Sequence, residues 1–152
     1  MATRGMIAAE SANGDTIGVY HHWDSCPAGL GKAIWHAYRQ FGRNLDRMRE
    51  FLLAHTWSTI VDKDLSKEPG YEEPDRTDRP QCYCHGARSE AHTLMRLDDA
   101  PPGCVWAYLL RPAGVHGCDR MEIMARRNGR WHVVGEVPLD DDAEPEWDDL
   151  SD

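Results

Sequence analysis

No stretch of the 152 residues approaches the roughly 18 apolar positions that a membrane-crossing helix needs. The opening residues, Met1-Ala2-Thr3-Arg4-Gly5-Met6-Ile7, lack the basic segment, long apolar run and cleavage site of a secretory leader. The expectation is therefore a cytoplasmic protein without a membrane partner. Five cysteines make an odd number, and a chain of this length can bury about 68–70% of its unfolded surface around one core without disulfide staples. Reduced thiols are expected. No repeat at a solenoid period is present. Lysine and arginine are missing from residues 139–152, which carry eight acidic side chains and hence all but one unit of the net charge of −9. A nearly neutral body with an acidic end disfavours nonspecific nucleic-acid binding.

What is present alternates between strand and helix signals. A short apolar run at Met6-Ile7-Ala8 leads through Ser11-Ala12-Asn13-Gly14-Asp15, whose Asn-Gly pair favours a hairpin turn, into a strand from Thr16 to Trp23. Period-2 alternation sets Ile17, Val19, His21 and Trp23 on one side of it and Tyr20, His22 and Asp24 on the other. From Leu30, apolar residues at Ile34, Ala37 or Tyr38, and Phe41 recur at helical spacing, and Gly42 ends that helix. A second helix, capped by Asn44, aligns Leu45, Met48, Phe51 and Leu52. One more buried turn or short segment follows at Trp57, Ile60 and Val61.

Residues 62–80 are different. Eleven of those 19 residues are charged and Pro69, Gly70, Pro74 and Pro80 punctuate them, so a long surface loop is expected. Gln81-Cys82-Tyr83-Cys84-His85 reads as a strand, Cys104 to Leu110 as a central strand, and Arg120–Arg126 with Arg130–Val137 as a second hairpin about Asn128-Gly129. The fold class that follows is α+β: one domain over residues 1–138, an antiparallel sheet of about five or six strands built from N- and C-terminal hairpins, and two helices packed on one face. Residues 139–152 read as an acidic, flexible tail.

The chemistry-bearing residues gather where the Thr16–Trp23 strand runs into the first helix. A strand-to-helix junction brings a helix N-terminus and the side chains of a strand end into one small volume. His22, Trp23, Asp24, Gly29, Gly31 and Lys32 are the candidate ligand residues: Gly31, Lys32 and the helix start for an anion, Trp23 for stacking, His22 and Asp24 for polar groups. Gly29-Leu30-Gly31-Lys32 is not a Walker motif, because Cys26 stands where glycine is needed and Ala33 where Ser or Thr is needed. His21, His22, Asp24, Cys82, Cys84 and His85 are metal-competent, as are Cys26 and His36, yet Cys82-x-Cys84-His85 lacks the C-x-x-C spacing of a standard zinc knuckle. Asp24, directly before a turn, is expected to accept backbone N–H bonds. No catalytic residue and no cofactor are assigned.

Arg4, Met6, Ile7, Gly18, Tyr20, His22, Trp23, Asp24, Pro27 and Gly31 carry a resemblance to small uncharacterised proteins of bacteria and their phages with a Tyr-x-His-Trp-Asp-x-x-Pro strand-turn-helix motif. Gly5, His21 and Ser25-Cys26 depart from that pattern. The resemblance implies a phage or mobile-element accessory protein and brings no activity with it. The leading expectation is a non-enzymatic protein that binds a small anionic or nucleotide-like ligand at the junction, sequestering a host signal. Two alternatives stand beside it: an inhibitor of a host protein acting through its surface and acidic tail, and a metal-dependent hydrolase using His, Asp and Cys.

Overall fold

A computed structural model of the chain describes residues 2–70, 78–84, 94–114 and 117–150. Strands β1 (Arg4–Glu10) and β2 (Thr16–His21) form the first hairpin. A π-helical turn, Pro27–Gly31, runs straight into α1 (Lys32–Gln40), and α2 (Leu45–Leu53) follows. Then come β3 (Trp57–Thr59), β4 (Gln81–Cys82), β5 (Met95–Arg96), β6 (Cys104–Arg111), β7 (Arg120–Arg127) and β8 (Arg130–Pro138). Short 3-10 turns stand at Leu97–Asp99 and Trp147–Leu150.

Both helices end and begin as the sequence implies. Gly42 takes a φ of 66° just beyond α1, and the Asn44 side chain accepts the Arg47 N–H at 3.1 Å, satisfying an amide that the first turn of α2 leaves open. The β7–β8 turn has Asn128 and Gly129 both at positive φ, 54° and 74°, which is the conformation a two-residue hairpin turn needs.

The sheet order is β4-β3-β2-β1-β6-β7-β8, with β5 also paired to β2, so eight strands occur among the described residues. The expected antiparallel sheet of five or six strands is corrected to a mixed one. β1 pairs β6 in parallel, and β2 pairs β3 in parallel through His21 and Trp57. The physical reason lies in the connections. From β2 the chain passes through both helices before β3, a crossover that returns it in the same direction, whereas a hairpin would reverse it. β4 falls within the strand expected at Gln81–His85, of which His85 lies outside the described residues, whereas β3 and β5, three and two residues long, are too short for a period-2 pattern to be seen.

Both helices do pack on one face. Leu30, Ile34, Met48 and Leu52 meet Ile7, Val19, Tyr108, Leu110 and Ile123 in the main core. On the other face Met6, Cys104 and Ala107 are covered by Leu97 and Ala100. A strand buried on both faces loses its alternation, which is why Met6-Ile7-Ala8-Ala9 and Ala107-Tyr108-Leu109-Leu110 read as continuous apolar runs. Each such side chain contributes on the order of 1.5–3 kcal/mol by leaving water.

The core reaches past residue 138. Leu139 and Trp147 are buried in it, and Arg39 and Arg43 of the helical layer donate to the Asp141 and Asp140 carbonyls. The Tyr38 hydroxyl lies 2.6 Å from Asp119 and 2.7 Å from Asp140 and donates to one carboxylate at a time. Within the stretch expected to be an acidic tail, Leu139 and Trp147 are thus core residues and Leu150 packs against them. In the expected 62–80 loop, Leu65 enters the core and Lys67 pairs with Asp78 at 2.7 Å, while residues 71–77 lie outside the described residues. No described helix is long and apolar enough to cross a membrane.

Candidate functional site

The junction between β2 and α1 is built around His21. Its ring is fully buried on the helix-covered side of the sheet, as period-2 counting from Val19 requires. Nε2 accepts the Ile60 backbone N–H at 3.0 Å, so the proton sits on Nδ1, which donates to Ser25 Oγ at 2.9 Å. The Ser25 hydroxyl donates in turn to the His21 carbonyl at 3.1 Å. Every polar atom of the pair is used internally. Burial, and secondarily the neighbouring His22, holds the His21 imidazole down at a pKa of about 3, because a second ring proton would face the Ile60 N–H in a dry site. His21 is therefore a neutral clamp that ties the end of β2 to the segment after β3, and a metal ligand role is closed to it.

The turn itself is held by backbone. Leu30 N–H donates to the Asp24 carbonyl at 2.9 Å and Gly29 N–H to the Cys26 carbonyl at 3.0 Å, so these two amides of the helix start are already spoken for. The Asp24 side chain is exposed and its carboxylate makes no hydrogen bond among the described residues, at a φ of 56°. The expectation that this carboxylate ties down backbone N–H groups is thus corrected: the main-chain oxygen of the same residue does that work. It also explains Gly29, where a Cβ would stand 2.1 Å from the Asp24 oxygen. Gly31 is buried against Tyr108 and Trp147. Both glycines answer to packing.

Around this scaffold lie two hollows. The first, about 360 Å³, is lined by Ala28, Gly29, Lys32 and His36 from the helical side and by Ile60, Val61, Asp62 and Lys63 from the segment after β3. The second, about 480 Å³, lies between Trp23, Asp24 and Thr59 and shares Val61, Asp62 and Lys63 with the first. His21 sets this geometry, since its bond to Ile60 N–H fixes the residue where the shared wall begins. Lys32, Lys63, Asp24 and Asp62 are among the lining residues, and the Trp23 indole is 40% exposed. His36 reaches Glu144 at 3.1 Å.

The six candidate ligand residues are consequently divided. Gly29 and Lys32 line the first hollow, and Trp23 and Asp24 the second. His22 turns to the opposite face, where the Tyr20 hydroxyl meets its Nδ1 at 2.6 Å and its ring stands edge-on to Trp23 and Tyr83. Burial pushes Tyr20 up to about 12, so that hydroxyl keeps its proton. Gly31 lines neither hollow. Lys63, Asp62 and Thr59 were not singled out by sequence, because only the β2–β3 pairing brings them to the junction.

Of the metal-competent residues, Cys82 and Cys84 come together with His55, which the sequence did not single out. Their ligand atoms lie within 4.8 Å of one another, at the far side of β3 from the hollows. His85 falls outside the described residues. The five cysteines form no disulfide. Compared with protein-family models, curated proteins and solved structures, the chain matches none of them.

Proposed function

We propose that the chain is a non-enzymatic binding protein for a small anionic, nucleotide-like ligand held at the β2–α1 junction. The observation that carries this reading is the pair of adjoining hollows whose common wall is Val61-Asp62-Lys63. Their sizes suit a small molecule. Lys32 and Lys63 supply positive charge from opposite walls, Trp23 offers an exposed aromatic face for a base, and Asp24 and Asp62 offer acceptors for hydroxyl or amino groups. An anion alone would be poorly matched to two aspartates; a nucleotide, which carries both phosphate and hydrogen-bond donors, is the better fit. The likeness of residues 4–31 to phage and bacterial proteins supports an accessory role in which the ligand is a host signal kept out of circulation.

The test is a thermal-shift series against nucleoside mono-, di- and triphosphates, cyclic nucleotides and inorganic phosphate. A nucleotide at 100 times its Kd adds about 2.7 kcal/mol of stability, and Lys32→Ala should remove most of that gain without moving the unliganded midpoint. Absence of a shift with every nucleotide would end the proposal; a shift with phosphate alone would reduce it to a simple anion site.

A further inference from the structure

We infer that His55, Cys82 and Cys84 form a binding site for one zinc ion at the β3–β4 edge of the sheet. The register is the first argument. β3 and β4 are antiparallel with Trp57 opposite Cys82, and counting outward from that pair sets Thr56 against Tyr83 and His55 against Cys84. The Tyr83 N–H donates to the Thr56 carbonyl at 2.9 Å, so the ladder does run on beyond the two strands. Period-2 alternation then sends Cys82 and Cys84 to one face and Tyr83 to the other, and both cysteines pack on the main core while Tyr83 meets His22 behind the sheet. The His55 ring is held by its neighbours, 4.8 Å from the Trp57 ring and 5.7 Å from that of Phe51.

The second argument is metric. His55 Nδ1 lies 3.4 Å from Cys84 Sγ, and all three ligand atoms are within 4.8 Å of one another. Tetrahedral zinc, with bonds of about 2.3 Å to sulfur and about 2.0–2.1 Å to nitrogen, sets its donors roughly 3.5–3.8 Å apart. The cluster needs to close by less than about 1 Å to meet that requirement. Two thiolates and an imidazole are a borderline-soft donor set, which favours zinc over magnesium or calcium. Among the described residues, two cysteines and one histidine supply three of the four tetrahedral positions.

The proton balance is explicit. Zinc displaces one proton from each thiol, and the imidazole binds through Nδ1 with its own proton on Nε2, so two protons leave per ion bound. The site is independent of the hollows at the junction, and either can fail without the other.

The experiment loads the reduced full-length protein with Co²⁺ as a spectroscopic stand-in, then displaces it with Zn²⁺ against a competing chelator. One equivalent should bind with thiolate-to-cobalt charge transfer and the visible bands of a tetrahedral ion, and two protons should be released. Cys84→Ser and His55→Gln, both at partly exposed positions, should each weaken zinc binding by roughly tenfold or more; Cys118→Ser should leave it unchanged. Circular dichroism on the same samples verifies that each variant is folded. Lack of tetrahedral bands in the wild-type protein, retention of full affinity in both folded variants, or uptake of Cu(I) with no uptake of Zn²⁺ would overturn the assignment.

Discussion

His21, which pairs with Trp57 at the start of β3 and reaches Ile60 beyond its end, and His55, two residues ahead of that strand, have contrasting surroundings that separate scaffold from chemistry in this molecule. His21 has both ring nitrogens committed to protein partners and is fully buried. His55 is partly exposed, and its Nδ1 points at sulfur. The side chain is the same; the difference is what the neighbouring backbone asks of it. At His21 an otherwise unpaired amide of Ile60 must be satisfied inside a dry core, and an imidazole fixed as the Nδ1–H tautomer does so. At His55 strand pairing brings two thiols within reach of the ring.

The largest expected effect separates the two directly. His21→Ala leaves the Ile60 N–H without its acceptor and opens a cavity, which together should cost about 3 kcal/mol or more. His55→Ala in metal-free protein removes aromatic packing against Trp57 and Phe51 and the contact with Cys84 Sγ at a partly exposed position, about 1–2 kcal/mol. Urea denaturation of both variants measures the difference. Equal midpoint shifts would mean that burial does not divide their roles in this way.

A smaller effect sharpens the same contrast through pH. The folded-state pKa of His21, about 3, lies below that of an unfolded histidine, about 6.5. Between those values the unfolded chain binds a proton that the folded chain refuses, so stability is complete above about 6.5 and falls as pH drops towards about 3. The slope is about 1.4 kcal/mol per pH unit for this one group. His21→Gln supplies the reference, because its amide oxygen can still accept from Ile60 but does not titrate. Stability curves for the two proteins that stay parallel across this window would show that His21 is protonated in the fold.

How much of this was legible beforehand depends on range in sequence. The two hairpins were readable from Asn13-Gly14 and Asn128-Gly129, the α2 cap from Asn44, and the central strand from the apolar run after Cys104, because each rests on neighbouring residues. What could not be read was the parallel β1–β6 pairing, which joins strands about a hundred residues apart, and whatever depends on how β3, β4 and β5 pair: the parallel β2–β3 contact, the wall at Val61-Asp62-Lys63, and the meeting of His55 with Cys82 and Cys84. Twenty-six residues lie between His55 and Cys82, and no fixed spacing survives a connection of that length. A Cys-x-Cys pattern on an extended segment was the one usable signal, since it sends both sulfurs to the same face. The acidic end misled in the opposite sense, because charge composition hid Leu139 and Trp147.

The smallest expected effect concerns Asp24, and it reverses what the sequence suggests. A carboxylate ahead of a turn ordinarily stabilises by accepting backbone N–H bonds, and its loss would cost about 1.5–3 kcal/mol for each charge-assisted bond. Here Leu30 N–H goes to the Asp24 carbonyl, which any residue provides, and the side chain projects into the hollow beside Trp23. The remaining penalty of Asp24→Ala is the poorer tolerance of alanine for a φ of 56°, well under 1 kcal/mol in a turn where aspartate is itself only moderately favoured. Asp24→Gly removes even that. Both variants should keep nearly the wild-type urea midpoint, and both should weaken binding of any nucleotide found in the thermal-shift series, since each lacks the acceptor that the second hollow presents. A midpoint that falls by 1.5 kcal/mol or more in both would return the carboxylate to the scaffold. Asp62 and Thr59 would then be the acceptors left to the second hollow.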